Sequence, residues 1–133
     1  MYKKLNKLAI IVQARLGSSR LPSKVLLPFY NDVSICEIIL ENLRISFPDV
    51  QIILATSDKL LDDPLELFAK KNNISIYRGS ERNVLERFVS ASEYYDVRNI
   101  VRICCDNPFI SMEYVAELMN RWRPNLDYLS FRT

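Results

Sequence analysis

Short apolar runs of strand length alternate with helix-period patterns from one end of the chain to the other. Residues 8–13, 51–56, 74–77, 99–104 and 127–131 read as strands. Four helical patterns lie between them. In residues 34–46, Ile35, Ile38, Ile39 and Leu43 share a face, and in residues 63–71 Leu65 and Phe68 do, with Pro64 at a tolerated first-turn position. Residues 83–94 carry Val84, Leu85 and Phe88. Residues 111–122 place Val115, Leu118, Met119 and Trp122 at i, i+3, i+4 and i+7, with Ser111 as N-cap, Glu113 in the first turn and Pro124 closing the helix. A strand–helix alternation of this kind predicts an α/β fold of three layers. Its sheet is mainly parallel and doubly wound, Rossmann-like, with helices on both faces. No repeat or linker breaks the pattern, so residues 1–133 read as one domain. The final strand pattern has no helix after it, which leaves one edge or face of the sheet open for a partner.

Composition narrows the chemistry. A chain of 133 residues, 49% hydrophobic and 26% charged, has the apolar content of a packed core rather than of a disordered segment. No run approaches the ~18–20 apolar residues of a membrane span. The apolar stretch after the basic start ends early, at Gln13 and Arg15, so a secretory leader is not expected and the cytoplasm is the default location. The chain contains no histidine, which excludes His-dependent triads, metal sites and general bases within it. Cys36, Cys104 and Cys105 lack C-x-x-C spacing, and the adjacent pair Cys104 and Cys105, in an apolar run, read as inert buried thiols. A net charge of +2 is too small to imply nucleic-acid binding. Any catalysis must rest on carboxylates, Lys/Arg, backbone amides or a hard metal ion.

Open α/β sheets bind ligands beyond the carboxyl ends of their strands, and the unusual residues cluster in those loops. The loop after the first strand reads A-R-L-G-S-S-R-L-P-S-K. Arg15, Arg20 and Lys24 surround Gly17-Ser18-Ser19 there, a composition suited to a triphosphate but also to a solvated basic connector. It is not a Walker loop, because Ser23 rather than glycine precedes Lys24. The chain's two glycines, Gly17 and Gly79, both fall in these loops, where positive φ or close ligand approach would use them. Asp106, at the end of the fourth strand, has the placement of a Mg²⁺ ligand and equally of an Asp-Asn-Pro turn cap. Asp62-Asp63 reads as a helix N-cap pair. Glu81, Arg82, Glu86 and Arg87 read as a solvated helical face from which the two arginines can reach the mouth.

The run AIIVQARLGSSRLPSKVL resembles the opening signature of the sugar-nucleotide cytidylyltransferases, A-R-x-G-S-x-R-L-P-x-K. Downstream, ILATSD, DDPLELFA, ISIYRGSERNVLERF and VRICCDNPFI follow in the order of one branch, the spore coat polysaccharide biosynthesis protein F group. That group is related to the acylneuraminate and 3-deoxy-manno-octulosonate cytidylyltransferases. The resemblance covers nearly the whole chain, which looks like the N-terminal half of such proteins. Ser23 stands where the family commonly has glycine. The resemblance implies that Arg15 and Lys24 hold a nucleotide triphosphate, that Ala14, Gly17 and Ser18 supply the backbone turn, and that Arg20 supports phosphate or the loop. It implies that Thr56, Ser57, Arg78, Gly79 and Ser80 line the site near base or sugar, and that Asp106 binds Mg²⁺, the expected cofactor. The implied reaction transfers CMP from CTP to a sugar acid with release of pyrophosphate, catalysed by Arg15, Lys24 and Asp106, for surface polysaccharide synthesis. Two other functions stay open: a non-catalytic nucleotide-binding module acting with a partner chain or as a homodimer, and a glycosyltransferase that uses a nucleotide sugar. CTP and a sugar acid are the expected partners, without nucleic acid or membrane.

Overall fold

The computed structural model describes every residue except Met1, Lys4, Ser18, Ser19, Arg132 and Thr133. Its centre is a four-stranded parallel sheet built from β1 (Leu8–Gln13), β4 (Gln51–Ser57), β5 (Ser75–Gly79) and β6 (Asn99–Cys104), in the order β5-β4-β1-β6. Helices α1 (Ile35–Ser46), α2 (Asp63–Lys71), α3 (Val84–Tyr94) and α4 (Met112–Arg121) follow successive strands. The expected α/β architecture is thus present, with element ends within two residues of the pattern for all but the final strand.

Alternation along each strand sorts the core into two layers. Ile10, Val12, Leu54 and Ile103 face α1, α2 and α4, meeting Ile39, Leu43, Leu65, Val115 and Met119. Ala9, Ile11, Ile53 and Ala55 face the other way, against Phe88 and Ala91 of α3. Three helices therefore cover one face and one covers the other. Local signals fix their starts. Ser34 and Glu37 form a reciprocal capping box at α1, and Asn83 and Ser111 cap α3 and α4 through side-chain oxygens.

Two elements depart from the sequence pattern. A short antiparallel hairpin, β2 (Pro28–Tyr30) with β3 (Val33–Ser34), precedes α1. Its turn residues Asn31 and Asp32 have φ of 48° and 62°, the left-handed pair that a tight two-residue hairpin requires and that Asn and Asp tolerate. The strand expected over residues 127–131 does not form. After α4 the chain turns, with Leu126 N–H donating to the Arg123 carbonyl, and the Phe131 ring lies 5.1 Å from that of Tyr114 on α4. Phe131 packs on a helix instead of joining a ladder, and Tyr128 is exposed. Among the described residues, β6 pairs with β1 alone and β5 with β4 alone, so these two are the edge strands, and Ile100 of β6 is 39% exposed.

Candidate active site

The strand order reverses at β1. The chain moves from β1 outward through β4 and β5, then returns by α3 to place β6 on the other side of β1. The loops leaving β1 and β6 meet there at the carboxyl ends of the strands, the usual ligand position in such sheets. A cavity of about 200 Å³ occupies it, lined by Gln13, Ala14, Arg15, Lys24, Val25, Cys104, Cys105 and Asp106. Arg15 and Lys24, at the two ends of the first loop, and Asp106, after β6, line this one space. Ala14 and Cys105 are buried in its floor, while Arg15, Cys104 and Asp106 are exposed.

The first loop is shaped by backbone ties. Ala14 N–H extends the ladder by donating to Ala55 O at 3.1 Å. Leu16 N–H donates to the buried Asp62 carboxylate at 2.8 Å, and Ser23 N–H donates to Leu16 O at 2.9 Å. Closure between residues 16 and 23 brings Arg15 and Lys24, the residues just outside it, to the same cavity. Ser23 meets this geometry with φ of 61°, a left-handed conformation that costs a non-glycine residue about 1–2 kcal/mol. Gly17 is exposed and does not use positive φ; neither glycine of the chain does. Arg20 is exposed and outside the cavity lining. Ser18 lies outside the described residues.

Asp106 makes no hydrogen bond or ion pair to a described residue. The turn-capping role belongs to its neighbour, since Phe109 N–H donates to Asn107 Oδ1 at 2.9 Å. A single hard carboxylate facing two cations fits Mg²⁺, which takes one or two protein oxygens and completes its shell with phosphate and water. Cys104 corrects the expectation that both adjacent thiols are buried. It is exposed in the cavity wall, whereas Cys36 and Cys105 are buried. The neighbouring Cys105 thiol and burial together push the Cys36 thiol far up.

The structure does not bring Thr56, Ser57, Arg78, Gly79 and Ser80 to this cavity. They lie at the ends of β4 and β5 on the far side of β1, where the polar groups of Ser57, Arg78 and Ser80 are bound within the fold and the buried Thr56 hydroxyl has no partner among the described residues. Thr56 is fully buried. The Ser57 hydroxyl donates to Asp62 Oδ2 in a short hydrogen bond. Arg78 donates to Asp63 at 2.7 Å, Glu66 at 3.0 Å, Ser57 O at 2.9 Å and Lys59 O at 2.6 Å, so its guanidinium staples the β4–α2 connection. Gly79 is glycine for packing: a Cβ there would lie 2.9 Å from Tyr77 Cε1. The Ser80 hydroxyl accepts from Asn83 N–H at 3.1 Å.

Sequence reasoning missed Asp62. It sits at the α2 boundary without capping the helix through its side chain, and is instead 4% exposed beneath the first loop. Arg87, read as solvated, is 2% exposed. The signal for Asp62 was weak, because two adjacent aspartates before a helix look alike until one is seen to turn inward.

An uncharacterised protein of Methanocaldococcus jannaschii is 41% identical over 125 residues, covering 93% of this chain and 51% of its own length. The spore coat polysaccharide biosynthesis protein SpsF of Bacillus subtilis is 39% identical over 113 residues, covering 82% and 47% respectively. The chain thus spans about half the length of these relatives. Among solved structures, a cytidylyltransferase from Leptospira borgpetersenii superposes with a TM-score of 0.80 at 34% identity over 87% of this chain and 48% of that one. The CMP:2-keto-3-deoxy-manno-octonic acid synthetase solved with CTP shares the fold, with a TM-score of 0.67 at 23% identity over 85% of this chain and 46% of that one. The cytidylyltransferase family model matches residues 9–132, almost the whole chain, and on that match this protein belongs to the cytidylyltransferase family.

Proposed function

We propose that this chain forms the nucleotide-binding part of an enzyme that transfers CMP from CTP to a sugar acid and releases pyrophosphate, in cytoplasmic synthesis of surface polysaccharide precursors. The observation that carries this reading is the meeting of Arg15, Lys24 and Asp106 around one cavity at the reversal of the sheet. In-line attack of a sugar hydroxyl on the α-phosphorus moves negative charge onto the transferring group and the departing pyrophosphate. Arg15 and Lys24 neutralise that charge from fixed positions, and a fixed donor at such a site contributes about 2.7–4 kcal/mol. Asp106 would hold Mg²⁺, which when bound supplies Lewis-acid charge neutralisation on phosphate oxygens. The family's shared activity and the fold common to a CTP-bound synthetase support CTP as the nucleotide.

The open β6 edge favours a second reading, a nucleotide-binding module that pairs with another chain or with a second copy of itself and has no activity alone. Calorimetric titration with CTP, ATP, GTP and UTP in Mg²⁺, followed by a pyrophosphate assay across sugar acids, separates the two. Selective CTP binding with pyrophosphate release supports the enzyme, and CTP binding without release supports the module. Absence of nucleotide binding overturns both.

A further inference from the structure

On the α3 side of the same mouth lie charges that the proposed reaction leaves unused. Arg87, in the first turn of α3, is 2% exposed, and its Nε has no hydrogen-bond partner among the described residues. A guanidinium withdrawn from water is retained at high cost unless a counter-charge meets it. Asp62, the carboxylate acting on it, is already engaged by Leu16 N–H and the Ser57 hydroxyl. Arg15 and Arg102 add like charge. Burial above all, with those two cations, pushes the Arg87 guanidinium below its ordinary pKa against the pull of Asp62.

Packing fixes the group. A Cβ on residue 79 would lie 3.4 Å from Arg87 Cγ, so the end of β5 is closed against the arginine stem. Arg102 shares the α3 face of the sheet with Ile11, its β1 partner, and its guanidinium carbon stands 5.1 Å from the Phe88 ring centroid. Its Nη2 is 3.4 Å from Gln13 Oε1. Gln13 and Arg15 line the cavity, so Arg102 is joined to its wall through Gln13. The charges acting on Arg87 are thus two cations, Arg15 and Arg102, and one carboxylate, Asp62, that is already engaged.

We propose that Arg87, together with Arg15 and Arg102, forms an oxyanion subsite beside the triphosphate cavity. Guanidinium groups match the planar, two-oxygen face of carboxylates and phosphates. Within the proposed function, the oxyanion comes either from the α-phosphate of the nucleotide or from the carboxylate of the acceptor. Identifying that source rests on the proposed function; the presence of the subsite does not.

The test follows thermal unfolding and calorimetry of the 133-residue chain at constant ionic strength. Inorganic phosphate, CMP and pyruvate are the probes, and Arg87→Met and Arg102→Gln the variants. Phosphate is expected to raise the wild-type midpoint and to bind at least about tenfold more weakly to each variant, as loss of a charge-assisted contact implies. A parallel loss for CMP alone names the nucleotide phosphate, and one for pyruvate alone names the acceptor carboxylate. Arg102 lies on an exposed strand position, so its variant carries the test if Arg87→Met does not fold. Equal phosphate protection in wild type and variants, or none in wild type, overturns the subsite. CTP titration of the wild type runs alongside. Absent CTP binding with a phosphate effect lost in the variants would overturn the nucleotide reading and leave the subsite standing.

Discussion

The Asp62 carboxylate accepts the Leu16 backbone N–H at 2.8 Å, joining residues 46 positions apart in sequence. Because Leu16 O also accepts Ser23 N–H, one buried acid holds both ends of the first loop. The turn after β4 thereby sets where Arg15 and Lys24 stand, although Asp62 itself does not line the cavity.

Removing that acid should loosen the loop and the fold together. Asp62→Ala strands the Leu16 N–H and leaves Arg87 without its nearby carboxylate, at a cost of about 3 kcal/mol. Asp62→Asn keeps an acceptor for Leu16 and should cost roughly half as much. Urea unfolding midpoints read the stability, and CTP titration reads the loop. A stable Asp62→Ala protein with undiminished CTP affinity would show that the loop holds its own shape.

Ser23 offers the opposite sign. With φ at 61° it occupies a conformation that glycine adopts without strain, and its backbone N–H and carbonyl make the contacts that close the loop. Ser23→Gly should therefore raise stability by up to about 1 kcal/mol, less whatever the more flexible unfolded chain gives back. Ser23→Ala gains nothing by the same reasoning. Comparing melting temperatures of the two variants decides whether strain or side-chain chemistry is responsible.

The central sheet was legible because its strands are short apolar runs separated by well-capped helices, and Ser34, Asn83 and Ser111 announce those helices locally. The cavity was legible for the same reason that it exists. Arg15, Lys24 and Asp106 follow strands whose parallel order forces their carboxyl ends together. Arg78 and Arg87 were not legible, since a cation in a loop or first turn has the same sequence signature whether it meets water, a ligand or a carboxylate. The tail from residue 127 misled for a related reason. Alternating aromatics satisfy either a sheet or an exposed helix face, and pairing partners are not written in the strand itself.

The Arg78 staple gives the acid limb of stability. Its hydrogen bond, aided by Lys70, holds the Glu66 carboxyl below the usual carboxylate value of 4.5. A depressed folded-state pKa stabilises the fold above the unfolded value, and the contribution disappears as pH falls through the folded value. Stability measured from about pH 5 down to about pH 3 should fall less steeply in Glu66→Gln than in the wild type. Parallel slopes would mean that Asp63 alone holds Arg78. Arg78→Ala, which also leaves the Ser57 and Lys59 carbonyls without its guanidinium, should lower the urea midpoint at neutral pH, while both acids remain solvated.

The side chains of Lys24 and Asp106 make no hydrogen bond or ion pair to a described residue, so Lys24→Ala and Asp106→Asn should leave the unfolding midpoint unchanged. Lys24→Ala should weaken CTP about 10- to 100-fold. Asp106→Asn should act through the metal. With Mg²⁺ it binds CTP more weakly than the wild type, whereas in chelator it binds at least as well, because a negative charge facing the triphosphate has gone. Loss of CTP affinity in chelator as well would assign Asp106 a direct contact with the nucleotide instead.

Cys104 reports occupancy of the cavity without any assay of turnover. It is exposed in the cavity wall, while Cys36 and Cys105 are buried and the Cys36 thiol is held protonated, far from the thiolate that reacts. An alkylating reagent should therefore modify Cys104 first, as read by peptide mass spectrometry, and Cys104→Ser should abolish the fast phase. Saturating CTP with Mg²⁺ should slow that phase at least about tenfold, in proportion to the fraction of protein left unbound. Labelling that starts at Cys36, or that proceeds at the same rate with CTP bound, would place the nucleotide away from the β1–β6 crevice.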